Sequence, residues 1–195
     1  QSDEGPVFPT PTIGMVGVID DASEGHMTLD FKEAGDLVYV LGHLNDDLGS
    51  SSYIYHYHDI AHSPAPYVNL EAEKALQAKV LELIDKKLIV SAHDVSDGGL
   101  AVTVLESAFP SGLGVAITMP EGLRADAFLF GEAGGRVVVS VKPDQVAAFE
   151  AALGDFPARK IGAVEGDALI INGDSQGKIT DYQQIHANCI GEMMG

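Results

Sequence analysis

The stretch Ile89-Val90-Ser91-Ala92-His93-Asp94-Val95-Ser96-Asp97-Gly98-Gly99-Leu100 gathers acids, hydroxyls, a histidine and paired glycines in one place. An apolar run that stops at Asp94 reads as a strand ending in an acid and turning directly into a helix. Ser96 or Asp97 can cap that helix. Gly98 and Gly99 carry no side chain to shield its first N–H groups. A carboxylate at a strand end, beside open N–H groups, can seat Mg²⁺ carrying a phosphate. The same residues also describe an ordinary strand-to-helix turn whose acid satisfies backbone amides. Spacing alone does not separate the two.

Other residues have reactive types. Tyr55-His56-Tyr57-His58-Asp59-Ile60-Ala61-His62 holds three histidines. His56 and His58 would share a face if extended, and His62 follows four residues on. That pattern is compatible with a transition metal and also with solvated loop histidines. Arg136, beside Gly134-Gly135, can hold a phosphate or pair with Glu132. His93 has the type of a general base, or of a strand-end histidine with a backbone partner. Cys189, near Met193 and Met194, reads as a core or terminal-helix residue and not as a nucleophile.

These residues need elements to position them. Ile13–Ile19 is apolar and strand-like, with two glycines. Leu37–Leu41 and Leu88–Ala92 read as buried strands. Asn69 is a candidate N-cap with Glu71 and Glu73 in the first turn. Leu76, Val80, Leu83 and Ile84 then mark one helical face. Leu100, Val104, Leu105 and Ala108 mark a second helix, stopped by Pro110. Strands follow at Gly114–Thr118 and Val137–Val141, then a helix over Asp144–Leu153. Two last strands, Lys160–Val164 and Leu169–Ile171, are joined through Gly166-Asp167, and Thr180 or Asp181 can cap a final helix. The alternation implies an α/β layer structure of the α+β type, a mixed sheet with helices packed mainly on one face. Residues 1–35 are expected to be a lead-in and the last strand of a preceding domain, and residues 36–195 the domain proper.

Composition sets limits. The chain has 195 residues, 46% of them hydrophobic, which is enough for a core and too many for a disordered segment. Asp and Glu number 29 against 11 Lys and Arg, a formal net charge of −18, so a nucleic-acid or anionic-membrane surface is not expected. A single cysteine excludes an internal disulfide and points to a reducing compartment, hence the cytoplasm. No apolar run reaches membrane-spanning length and no signal peptide is visible. The opening Gln1-Ser2-Asp3-Glu4-Gly5-Pro6, without an initiator methionine, is expected to be a cut from a longer protein.

His93-Asp94-Val95-Ser96-Asp97-Gly98-Gly99-Leu100 resembles the signature of the phosphoribosylformylglycinamidine synthase family, within the aminoimidazole ribonucleotide synthetase-like superfamily. Pro9–Gly17 resembles the final strand of that family's preceding nucleotide-binding domain. Phe130-Gly131-Glu132, followed by Gly135–Val141, and Ile161–Val164 resemble later strands. The four motifs occur in family order across most of the chain.

The resemblance implies an ATP-dependent C–N ligase of purine biosynthesis. In that reaction an amide oxygen is phosphorylated and ammonia then displaces the phosphate. It implies Mg²⁺ and ATP or ADP as cofactors. It also implies three partners: the remainder of the synthetase chain, a glutaminase subunit and a small accessory subunit. Carried over residue by residue, Asp94 would ligate magnesium, and Ser96, Gly98 and Gly99 would meet nucleotide, at an auxiliary site. No catalytic residue is expected here, and the isolated chain is expected to be inactive. Glu132-Ala133-Gly134 stands where the catalytic half of the family has Glu-Ser-Gln, so the polar grip on a ribonucleotide is missing. Ser50-Ser51-Ser52-Tyr53 departs from the family's Gly-Ser-acid-Tyr run. The alternative is a structural module that completes a pseudodimer without binding nucleotide.

Overall fold

The apolar run Leu37–Gly42 forms β1, an interior strand of a seven-stranded sheet in the computed structural model, which describes residues 12–19 and 26–195. The other strands are β2 (Ser91–Asp94), β3 (Val115–Ile117), β4 (Arg136–Val141), β5 (Ala158–Val164), β6 (Ala168–Ile171) and β7 (Asp174–Lys178). Their spatial order is β2-β4-β1-β5-β3-β6-β7. Only β3 and β6 run parallel; the other pairs are antiparallel. The mixed sheet expected from the sequence is therefore present. The turn at Gly166-Asp167 joins β5 to β6 along the chain, but β3 lies between them in the sheet.

Helices cover both faces. They are α1 (Leu70–Asp85), α2 (Gly99–Ala108), α3 (Ala125–Phe130), α4 (Val146–Leu153) and α5 (Ile179–Met194). Strand residues alternate in direction, so Val38 and Val40 enter one core with Leu100, Val104, Phe128 and Ile179. Tyr39 and Leu41 enter a second core with Leu76, Leu83, Val139 and Phe149. Each such buried side chain contributes about 1.5–3 kcal/mol. Helices α2, α3 and α5 thus serve one face, and α1 and α4 the other. The larger share of helices lies on one face, and the second face is covered as well because β1 is apolar on both sides.

A local signal explains the start of α1. Asn69 Oδ1 accepts from the N–H groups of Glu71 and Ala72, both at 3.1 Å, so the N-cap of α1 is as expected. Leu76 and Leu83, two turns apart, are its buried residues. Two elements lay outside the sequence reading. Helix α3 is only six residues long, and β7 has no buried residue. A polar edge strand shows no apolar alternation. Its place is set by the turn at Asn172-Gly173, both with positive φ, which returns the chain along β6.

Ile13–Ile19 was expected to be a strand, but residues 12–19 adopt no regular secondary structure. A strand needs a hydrogen-bonded neighbour, and this segment has none among the described residues. Met15 and Val16 are each 95% exposed. The lead-in before Thr12, including Pro9–Pro11, lies outside the described residues. Among the described residues no helix is long and apolar enough to cross a membrane.

Candidate functional site

Strand β2 ends at Asp94, and the chain turns because Val95 is drawn into the core, 5% exposed. The Val95 N–H bonds to the carbonyl of Arg136 at 2.9 Å, tying the turn to β4. Gly98 and Gly99 then adopt left-handed φ values of 82° and 70°, which a side chain disfavours. The Gly99 N–H bonds to the Ser96 carbonyl at 3.0 Å. Thr103 Oγ1 lies 3.1 Å from the Gly99 carbonyl and 3.4 Å from that of Asp94, fastening the first turn of α2 back onto the strand end.

The residues singled out by sequence separate into two groups. Asp94 and Ser96 are exposed, whereas Gly98 is half-buried and Gly99 buried. The Gly98 N–H is engaged by Glu132 Oε1 at 2.8 Å. A Cβ on Gly98 would lie 2.4 Å from the Val102 side chain. A Cβ on Gly99 would lie within 2.8 Å of backbone atoms of Leu129, Phe130 and Gly131. These glycines let α2 begin flush against the end of α3, whatever ligand is present.

Asp94 borders an open cavity of about 530 Å³ between α1 and the β2–β4 edge. Leu76, Val80, Val95 and Val137 line its apolar side, and Glu73 and Arg136 its polar side. Glu73, from the first turn of α1, is a further site residue that the sequence reading treated only as helix chemistry. Its Oε1 would lie 3.2 Å from a Cβ on either Gly134 or Gly135. A second cavity of about 250 Å³ shares Glu73, Gly134 and Gly135 and continues toward His43, Asn45 and Tyr67. Both acids therefore open onto one groove, floored by Gly134 and Gly135.

Arg136 does neither thing expected of it. It is 3% exposed, with Nε donating to the Ala133 carbonyl at 3.1 Å and Nη2 to the Gly131 carbonyl at 2.7 Å. Burial lowers the guanidinium pKa from its usual value. It braces the 131–135 turn. Glu132, its expected partner, instead accepts from the N–H groups of both Ser52 and Gly98, each at 2.8 Å. Those donors are 80 and 34 residues away in the chain, so no spacing rule exposes the role of Glu132.

His93 takes the backbone role. Its Nδ1 lies 3.3 Å from both the Thr103 carbonyl and Ser107 Oγ, and its Nε2 lies 3.4 Å from Glu106. Cys189 is exposed on α5. The face expected for His56 and His58 does not form, because Tyr53–Tyr57 is a π-helical turn and not extended chain. His58 instead sets its ring edge-on against Tyr53 and Tyr57. Among the described residues no three metal-ligating side chains form a cluster.

A mixed sheet covered on both faces, with an acid-tipped strand turning through paired glycines into a helix, defines an α+β domain of the AIR synthase type. The chain belongs to the family "AIR synthase related protein, C-terminal domain", whose model matches residues 33–172. It is similar to the phosphoribosylformylglycinamidine synthase subunit PurL of Alkaliphilus metalliredigens, 37% identical over 203 residues. That match covers 100% of this chain and 27% of the relative. The corresponding subunit of Salinibacter ruber is 44% identical over 169 residues, covering 83% of this chain and 22% of the relative. The chain thus spans about a quarter of the length of these curated relatives. In fold it resembles Thermotoga maritima PurL complexed with FGAR, with a TM-score of 0.67 at 16% identity over 80% of this chain and 29% of that one. The ATP complex of the same protein gives 0.62 at 15% identity, over 80% and 27%.

Proposed function

We propose that this chain is the C-terminal region of a cytoplasmic phosphoribosylformylglycinamidine synthase. In this reading the whole enzyme converts formylglycinamide ribonucleotide, ATP and glutamine-derived ammonia to the formylglycinamidine ribonucleotide, ADP and phosphate. The observation that carries the reading is the similarity to PurL chains, 37% identical along this whole chain. Residues 1–35 are read as the end of a preceding domain and 36–195 as the domain proper. The family match from residue 33 and the unpaired 12–19 segment support that division. A solved "PurLQS" assembly from T. maritima supports a glutaminase and a small accessory subunit as partners.

Within that enzyme, this domain is proposed to supply an auxiliary nucleotide seat and no reacting group. The donor set fits magnesium, which takes one or two carboxylates and completes its shell with water and phosphate oxygens. Asp94 would be the ligand, with Glu73 lining the same groove. A magnesium ion there would neutralise phosphate charge. Ser96 and the backbone at Gly98 and Gly99 would meet the phosphates. The chain alone offers one wall of such a seat, so it is read as inactive in isolation. A second reading, a structural module that binds no nucleotide, is favoured by one observation: Glu132 already takes the Gly98 N–H.

The test is Asp94→Asn in the full-length parent enzyme. Ammonia-dependent ATP turnover, thermal midpoint and co-purified nucleotide are followed together. Persistent turnover with nucleotide lost and a lower midpoint is expected. Collapsed turnover with an intact midpoint would place Asp94 among the reacting groups and overturn the auxiliary assignment. No change in any of the three would leave the structural reading.

A further inference from the structure

The loop between β1 and α1 encloses a cavity of about 440 Å³, lined by Ser50, Ser51, Ser52, Tyr55, His56, Ile60, His62 and Ser63. In a chain with 29 acids and 11 basic side chains, no carboxylate lines this cavity. Its polar side chains are hydroxyls and imidazoles, each able to donate a hydrogen bond. Ser63 Oγ accepts the Ser50 N–H at 2.7 Å and keeps its own proton to give. Among the described residues, the hydroxyls of Ser52 and Tyr55 and the ring of His62 make no hydrogen bond. His56 meets only the Tyr55 ring, edge-on at 4.7 Å.

The cavity is held open by the backbone. Ser50 adopts φ 54°, a left-handed conformation uncommon for serine. Its hydroxyl lies 3.3 Å from the carbonyls of both Ser63 and Pro64, clamping the two ends of the loop. Ser51 Oγ donates to the Leu48 carbonyl at 2.7 Å. The Glu132 carboxylate is turned to the Ser52 N–H, at 2.8 Å. Two imidazoles and the hydroxyls of Ser52 and Ser63 thus line one cavity, with the Ser63 hydroxyl taken up only as an acceptor.

We propose that this cavity binds the phosphate group of a small phosphorylated ligand, at a site separate from the Asp94 groove. His56, His62, Ser52 and Ser63 supply the donors. Tyr55 and Ile60 offer a flat apolar wall to whatever the phosphate carries. Imidazole and hydroxyl donors suit a tetrahedral oxyanion, because each oxygen accepts more than one hydrogen bond. A metal has a poorer fit, since only two ligating side chains line the cavity.

The experiment is a titration of the chain, at one fixed pH and constant ionic strength, with inorganic phosphate and separately with ribose 5-phosphate. The imidazole resonances of His56 and His62, assigned from His56→Ala and His62→Ala, report occupancy. Both should shift and saturate with at least one of the two probes. The tighter probe tells free phosphate from a phosphate monoester. Each single substitution should weaken binding about tenfold, as expected for one charge-assisted contact. The thermal midpoint should not move, because both side chains are exposed. Ser52→Ala, which removes a hydroxyl without touching the backbone bond to Glu132, should weaken binding in the same direction. The proposal is overturned if neither probe saturates, if ribose or chloride produces the same shifts, or if binding survives both histidine substitutions.

Discussion

Glu132→Ala tests the connection on which the proposed nucleotide seat rests. One carboxylate oxygen accepts two backbone N–H groups, from Ser52 and Gly98, each at 2.8 Å. Hydrogen bonds to a charged acceptor are each worth about 1.5–3 kcal/mol. The Gly98 donor stands at the start of α2, where an acid is also favoured by the helix dipole. Water can reach part of this half-buried site and will replace some of the loss. The expected destabilisation is therefore about 2–4 kcal/mol, below the simple sum. For a chain of this size that lowers the thermal midpoint by roughly 4–16 °C. Urea unfolding of both proteins gives the free energy, and equal slopes would show that the unfolded states match. Glu132→Gln keeps the accepting oxygen without the charge and should lose about half as much. A loss below about 0.5 kcal/mol for the alanine variant would refute the two-donor account, since that is ordinary surface scatter.

Further outcomes follow from other sites. Gly99→Ala should destabilise by about 2 kcal/mol or more, because its Cβ meets three backbone groups at a positive φ. Gly191→Ala, with open space around it, should be neutral or slightly stabilising in the same urea assay. Burial and the Glu150 carboxylate at its hydroxyl push the Tyr39 pKa up to about 12 from 10.0. The fold therefore favours the protonated phenol. That contribution is complete below pH 10 and lost as pH rises toward 12. Tyr39→Phe should show a smaller fall in stability across that window, and an equal fall would refute the assignment. Burial likewise raises the Asp36 pKa, so Asp36→Asn should gain stability at neutral pH relative to its effect under acid, where the carboxyl is already protonated. Ile13, Met15, Val16 and Val18 are all largely exposed, so the chain should self-associate in sedimentation velocity. Val16→Asp should suppress that association, and concentration-independent monomers of the parent chain would refute it.

The sequence carried the elements better than their neighbours. Val38-Tyr39-Val40-Leu41 is uniformly apolar, which marks a strand but does not show which core each residue joins. That required knowing that β1 is an interior strand, flanked by β4 and β5. Asn69 was legible because an N-cap is a local contact, closed within three residues. Glu132 was not, because its partners arrive from the 50s loop and from α2. Arg136 illustrates the same limit. Its rarity as a cation suggested phosphate or an ion pair, yet its guanidinium is spent on two carbonyls of its own turn. Composition signals charge but not burial. The three histidines stayed open between a metal and solvated loop residues for a different reason: a shared face of His56 and His58 presumes extended backbone, and a single π-helical turn over Tyr53–Tyr57 removes that alternation.

The paired glycines hold the deepest ambiguity, and the structure sharpens it. A helix start with bare N–H groups suggests a phosphate seat. Here Gly98 has a carboxylate on its N–H, and the Gly99 N–H is closed on Ser96. A phosphate could take that first N–H only by displacing Glu132, which would also release Ser52. Ser52 borders the histidine cavity. An occupied seat at Asp94 that uses the Gly98 N–H must therefore loosen the neighbouring loop, whereas a seat built from Asp94 and Ser96 alone leaves it fixed. Amide exchange at Ser52, measured in the full-length parent with and without Mg·ATP, separates the two. Faster exchange on nucleotide addition means Glu132 is displaced. Unchanged exchange with nucleotide bound means the glycines serve packing and the acid holds the metal from the side.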